Sequence, residues 1–253
     1  MSQRNDLAEY LLRLGDNALI TGQRLCEWCG RAPAVEEEMA LMNVGLDLVG
    51  QARGWYEYAA ELLDDGRNAD KLAFLREERD FRNLLITEQP NGDYAVTTLK
   101  LFFFDAWHLP TLEQLSQSSD ERIAGVAGKA VKEARYHLKR SSEWVIRMGD
   151  GTDESHRRIS EAVDRLWRYT IEMVSIDALE QDLAKAGLAA DPVLVAEQWK
   201  ARVAQVFEEA TLTLPEPPVP FYLNGRKGLH TEHLGRLLAE MQFLPRAYPD
   251  AVW

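Results

Sequence analysis

The chain has 253 residues, 46% hydrophobic and 28% charged, with a formal net charge of −12; this is enough apolar side chain for a large core, without the polar bias of a disordered chain. Such acidity repels phosphate backbones and argues against nucleic acid as a partner. Two cysteines provide no disulfide framework, no apolar run approaches the ~20 residues that cross a bilayer, and the polar start MSQRND lacks the apolar stretch of a secretory leader, so the expected setting is the cytoplasm, with no membrane partner.

Helical periodicity runs through the chain. Leu7, Leu11, Leu14, Ala18, Leu25 and Cys29 fall at steps of three, four or seven and predict a first helix over 6–29. Glu36-Glu37-Glu38 opens a second, because acidic residues suit the positive end of a helix dipole. Its stripe is Leu41, Val44, Leu48, Ala52, Trp55, Ala59 and Leu62, and it stops at Asp64-Asp65-Gly66. A third helix is expected over 70–88, and Pro90-Asn91-Gly92-Asp93 is a turn. The fourth carries Ala95, Leu99, Phe102, Ala106 and Leu109, with Pro110 kinking or adjusting it. The fifth covers 119–148 through Ile123, Val126, Ala130, Ala134, Leu138, Ser141, Val145 and Met148, and Gly149-Asp150-Gly151 breaks it. Thr152 and Asp153 are N-cap candidates for a sixth, reaching about Ser175. Asp191-Pro192 is a cap followed by proline at the first helical position, opening a helix through Val195, Trp199, Val203, Val206 and Ala210. The proline-rich stretch 215–220 cannot be helical, and a last helix covers 230–244. No alternating strand pattern appears. The expectation is an all-α bundle of long antiparallel helices with additional helices packed on it, in a single domain over 1–253.

Three motifs invite chemistry. Cys26-Glu27-Trp28-Cys29 is a C-x-x-C, but it ends a helix in an all-helical chain instead of following a strand, and no second pair completes a zinc site; both thiols are expected to be buried as small apolar groups. His230 and His233 lie one turn apart with no clear third ligand, and Arg226, Lys227 and His230 form a small basic cluster expected to be a solvated loop. The informative stretch is Lys132-Glu133-Ala134-Arg135-Tyr136-His137-Leu138. Di-iron carboxylate bundles use a Glu from each of two helices and Glu-x-x-His on each of the other two. Here Glu133 has Tyr136 three residues on, and His137 comes one place late, a rotation of ~100°. Asp105 lies on the preceding helix. A similar stretch 85 residues earlier puts Leu48 and Gln51 at the matching places and Ile20 opposite Asp105, with Asp16 the nearest carboxylate. Ile20, Leu48, Gln51, Asp105, Glu133 and Tyr136 thus contain two usual ligands out of six positions, too few to hold iron well. Asp105 and Glu133 are expected to face inward, hydrogen-bonded or paired with Lys or Arg.

The segments YLLRLGDNALITGQRLCEWCGRAP, MNVGLDLVGQARGWYEYAAELL, FLREERDFRNLLITEQPNGDYAVTTL, AVKEARYHLKRSSEWVIRMGDGTDES and GRKGLHTEHLGRLLAEMQFLPR, in that order and spacing, resemble the PaaC-type subunits of bacterial phenylacetyl-CoA epoxidases. The resemblance covers nearly the whole length. It implies a ferritin-like fold and a stable complex with a related subunit that carries the di-iron site and epoxidises the aromatic ring of phenylacetyl-CoA with O₂, together with the other subunits of the complex. NADPH supplies the electrons through a flavin and iron–sulfur reductase subunit. The chain itself is then structural, with no catalytic residue, metal or cofactor of its own. The alternatives are an independently active ferritin-like di-iron protein and an unrelated helical binding scaffold.

Overall fold

The computed structural model describes residues 3–249 and 251. The fold is all-α, as expected of the ferritin-like class: among the described residues the only strand-like pairing is an isolated bridge between Asn224 and Leu229. In chain order the α-helices are α1 (Gln3–Cys26), α2 (Val35–Leu63), α3 (Ala69–Phe74), α4 (Tyr94–Leu115), α5 (Glu121–Gly149), α6 (Asp153–Leu166), α7 (Ile171–Val174), α8 (Ala178–Lys185), α9 (Pro192–Glu209), α10 (Glu232–Met241) and α11 (Phe243–Ala247). No helix of the described residues is long and apolar enough to cross a membrane. The chain divides into two compact units: the residues up to Pro90 with those from Tyr222 onward, and Asn91–Phe221.

In the first unit α1 and α2 pack antiparallel along their lengths. Two glycines allow the close approach: a Cβ on Gly22 would sit 3.1 Å from the Gly45 carbonyl oxygen, and one on Gly15 would meet the Tyr56 ring at 2.6 Å. The predicted stripe of α2 is buried against α1 through Leu41, Val44, Leu48, Ala52, Trp55 and Ala59. The first helix ends three residues earlier than expected. Trp28 takes the buried position after it, the turn closes with Trp28 N donating to Leu25 O (3.0 Å) and Cys29 N to Cys26 O (3.2 Å), and both cysteines are left exposed. The expectation of buried thiols is therefore corrected. Partial burial raises the Cys26 pKa, helped by Cys29 and Glu27, so Cys26 is not held as a low-pKa thiolate.

The helix expected over 70–88 stops at Phe74. Beyond it come a 3₁₀ turn, Glu78–Asp80, and a buried non-helical segment, 81–89. Leu84, Leu85 and Ile86 are consecutive and all buried, which one face of a helix cannot achieve. Distant side chains take over the backbone hydrogen bonding that a helix would have supplied: Leu84 N donates to Asn17 Oδ1 (2.7 Å) and Arg82 N to Asp16 Oδ2 (2.7 Å). The C-terminal part of the unit clasps this segment. Glu88 accepts from Asn83 Nδ2 (3.0 Å), Thr231 N (2.6 Å) and Thr231 Oγ1 (2.7 Å), and its Oε2 meets His230 Nδ1 at 2.8 Å. Arg24 donates twice to the Glu88 carbonyl. Gly225 is required here, since a Cβ would lie 1.9 Å from Asn83 O. Arg226 and the His230 side chain are buried, so the basic cluster is not a solvated loop; only Lys227 is exposed. The last helix breaks at Gln242, whose Nε2 donates to Ala73 O (3.2 Å) and Arg76 O (3.1 Å).

In the second unit α4 and α5 form the long pair. α4 is buried nearly all round, and Pro110 does not end it. Phe103 centres an aromatic cluster, with ring centroids 5.8 Å from Trp167, 5.9 Å from Trp199 and 6.0 Å from Phe207, and Trp199 Nε1 donates to Phe103 O (2.9 Å). The caps predicted at Thr152 and Asp191 form, accepting from Ser155 N and Val193 N, with Pro192 at the first helical position. Asp93, the last residue of the predicted turn, also caps α4 by accepting from Val96 N. The sixth helix ends at Leu166, passing through a 3₁₀ turn into the short α7; α8, capped by Asp177, was not expected.

Candidate functional site

In the first unit the positions that the sequence matched to ligand places on α1 and α2, Ile20, Leu48 and Gln51, are buried and carry no charge. The buried carboxylate of α1 is Asp16, and it is fully committed. Tyr56 Oη donates to its Oδ1 (2.5 Å), Arg76 Nη1 to Oδ2 (3.1 Å), Arg82 N to Oδ2, and Arg76 Nη2 also pairs with Oδ1. The Arg76 guanidinium is itself enclosed: Nε donates to Leu72 O (2.5 Å), Nη1 to Asp80 O (3.0 Å), and the Phe81 ring lies 4.2 Å from its centre. Burial alone would lower the Arg76 pKa, but Asp16 and Tyr56 outweigh it and hold it above the usual range. Tyr56 is pushed well up by burial and by Asp16. A permanent cation thus engages both oxygens of Asp16 and neutralises the carboxylate.

In the second unit the register is one residue off the expectation. Tyr136 is 53% exposed, and Glu133 is half-buried. The buried row of α5 is Ala127, Ala130, Ala134, His137, Ser141 and Val145. At ~100° per residue this row turns Ala134 and His137 inward and Tyr136 outward. The signal was in the sequence, since His137 is three from Ala134 and four from Ser141, both on the predicted stripe. His108 on α4 was missed as well, and it is buried.

Asp105 faces inward as expected. Ser141 Oγ donates to its Oδ2 (2.7 Å), and its Oδ1 has no hydrogen-bond partner among the described residues. Burial raises its pKa to about 6, against the pull of His137, Ser141 and Arg140. Burial, and then His137, push the His108 pKa down to about 3, leaving a neutral ring stacked on Phe104 at 4.9 Å. Among the described residues no three His, Cys, Asp or Glu side chains group as metal ligands. The donors do not fit an iron pair in either unit. The first offers Asp16, neutralised by Arg76, and Glu88, taken up by Asn83, Thr231 and His230; the second offers Asp105 and two imidazoles, with Ala134 buried three residues before His137.

The family model described as phenylacetic acid catabolic protein matches residues 1–253. The chain belongs to this family. Within the curated proteins it is 48% identical, over 249 residues, to the C subunit of the 1,2-phenylacetyl-CoA epoxidase of Escherichia coli (strain K12), an alignment covering 98% of this chain and 100% of the relative. Full coverage at that identity extends the family likeness to both helical units and to the C-terminal clasp.

Proposed function

We propose that this chain is a structural, non-catalytic subunit of a phenylacetyl-CoA epoxidase, acting in phenylacetate catabolism by packing against the di-iron subunit and holding its helices, and hence its iron ligands, in working geometry. The observation that carries the reading is the Asp16–Arg76 pair, in which a permanent cation already neutralises the buried carboxylate of α1. Ile20, Leu48 and Ala134 support it, as apolar residues at inward positions. On this reading NADPH and the flavin and iron–sulfur groups belong to a reductase subunit, and O₂ and the acyl-CoA react on the partner. The test is co-expression with the catalytic subunit, followed by size-exclusion chromatography and phenylacetyl-CoA turnover with reductase, with and without this chain. The reading expects co-elution and turnover that needs both chains. A catalytic subunit fully active alone that never co-elutes with this chain would end it.

A further inference from the structure

α2 carries two apolar rows. The inner one, Leu41, Val44, Leu48, Ala52 and Trp55, is buried against α1. The outer one is Val35, Met39, Met42, Leu46 and Val49, spaced four, three, four and three. It lies roughly 140° round the helix from the first at ~100° per residue. Val35 is 72%, Met39 61% and Leu46 65% exposed; Met42 and Val49 are half-buried. A lone exposed leucine needs no explanation. Five apolar side chains at a 3.5-residue repeat do, because that spacing presents knobs to a second helix, and the outer face of a solvated helix would be polar. Two of the five are methionines, which adapt to a partner surface.

The charges around the row say what fits it. Glu36 and Glu38 flank its N-terminal end, and Arg53, whose side chain is 78% exposed and paired along the helix with Glu57 (2.8 Å), lies on the same line at the other end. Helices in general gather acidic residues in the first turn and basic ones in the last. An antiparallel helix therefore sets its basic end beside Glu36 and Glu38 and its acidic end beside Arg53. The net charge of −12 disfavours a second copy of this chain as that helix.

We propose that the outer row of α2 docks an amphipathic helix of the catalytic di-iron subunit, running antiparallel, with apolar residues at the seam and Lys or Arg facing Glu36 and Glu38. This rests on the proposed function and adds the surface that performs it. The seam forms the desolvated centre of the interface, where truncation costs most.

The test is the double variant Met39→Glu/Leu46→Glu, co-expressed with the catalytic subunit and measured by co-elution and binding titration. Both positions are exposed, so circular dichroism and melting temperature stay at the wild-type values while affinity falls about 100-fold or more. Glu36→Lys/Glu38→Lys weakens binding by about tenfold, and Met39→Leu/Leu46→Met leaves it near wild type. A folded double variant that binds as tightly as wild type overturns the docking surface. So does a wild-type chain that dimerises by itself through this row, with the double variant monomeric and the heteromeric complex intact. If the wild-type chain binds no epoxidase subunit at all, the proposed function has failed, a separate result.

Discussion

Replacing Asp105 by Asn should make the chain more stable at neutral pH relative to its behaviour in acid. Asp105 is buried on α4, with its pKa raised from 3.8 to about 6. The folded state therefore binds this proton more tightly than the unfolded state. The stability linked to it is complete below about pH 4 and is lost as pH rises through about 6. At 1.36 kcal/mol per pH unit the loss is about 3 kcal/mol, of which about 2–3 kcal/mol falls between pH 4 and pH 7.5. Asparagine keeps an oxygen for the Ser141 hydroxyl and carries no charge at either pH. Its own packing cost is the same at both pH values and cancels in the comparison. Urea unfolding of wild type and Asp105→Asn at pH 4 and pH 7.5 reads the difference directly. The variant should gain on wild type by about 2–3 kcal/mol at the higher pH. A difference that does not change with pH would mean that burial leaves this carboxyl unshifted, and one that changes the other way that the carboxylate is stabilised as an anion; either result would make the account of Asp105 wrong.

His108 has the opposite dependence. Its pKa is depressed from 6.5 to about 3, so the stability it contributes is present above about pH 6.5 and lost as pH falls; His108→Gln should gain on wild type between pH 7 and pH 4 in the same urea series. Arg76→Met leaves the Asp16 carboxylate buried without its cation and should cost about 3–5 kcal/mol, part of it recovered in Asp16→Asn/Arg76→Met, by thermal or chemical melts; a loss under about 1 kcal/mol would refute the buried pair. Both thiols should react with a maleimide in the native chain, and Cys26→Ser/Cys29→Ser should leave the melting temperature within about 2 °C; labelling that requires denaturant would contradict their exposure.

Local chemistry was legible in the sequence and distant partnership was not. Thr152 and Asp191 cap their helices where the sequence placed them, because a cap needs only its own next three residues. The segment 81–89 misled for the opposite reason. Its backbone partners Asp16 and Asn17 and its side-chain partners His230 and Thr231 lie more than sixty residues away, so nothing nearby marked the end of the helix. Cys29 fitted the apolar period of α1, but Trp28 buried more surface at the helix end and displaced it. In the candidate site the residue types were legible and the rotation was not. Matching a Glu-x-x-His pattern selected Glu133 and Tyr136, whereas the apolar stripe of the same helix already aligned Ala134, His137 and Ser141 inward. A one-residue error turns a helix by ~100°, enough to exchange a buried histidine for an exposed tyrosine.

The claim that this chain supports an oxygenase centre without holding one is tested most directly by the iron bound to the purified chain after anaerobic Fe(II) loading and desalting. Arg76 at the Asp16 carboxylate and alanine at position 134 predict far less than one iron per chain and no di-iron absorption. About two irons per chain, with a di-iron optical spectrum, would contradict the account.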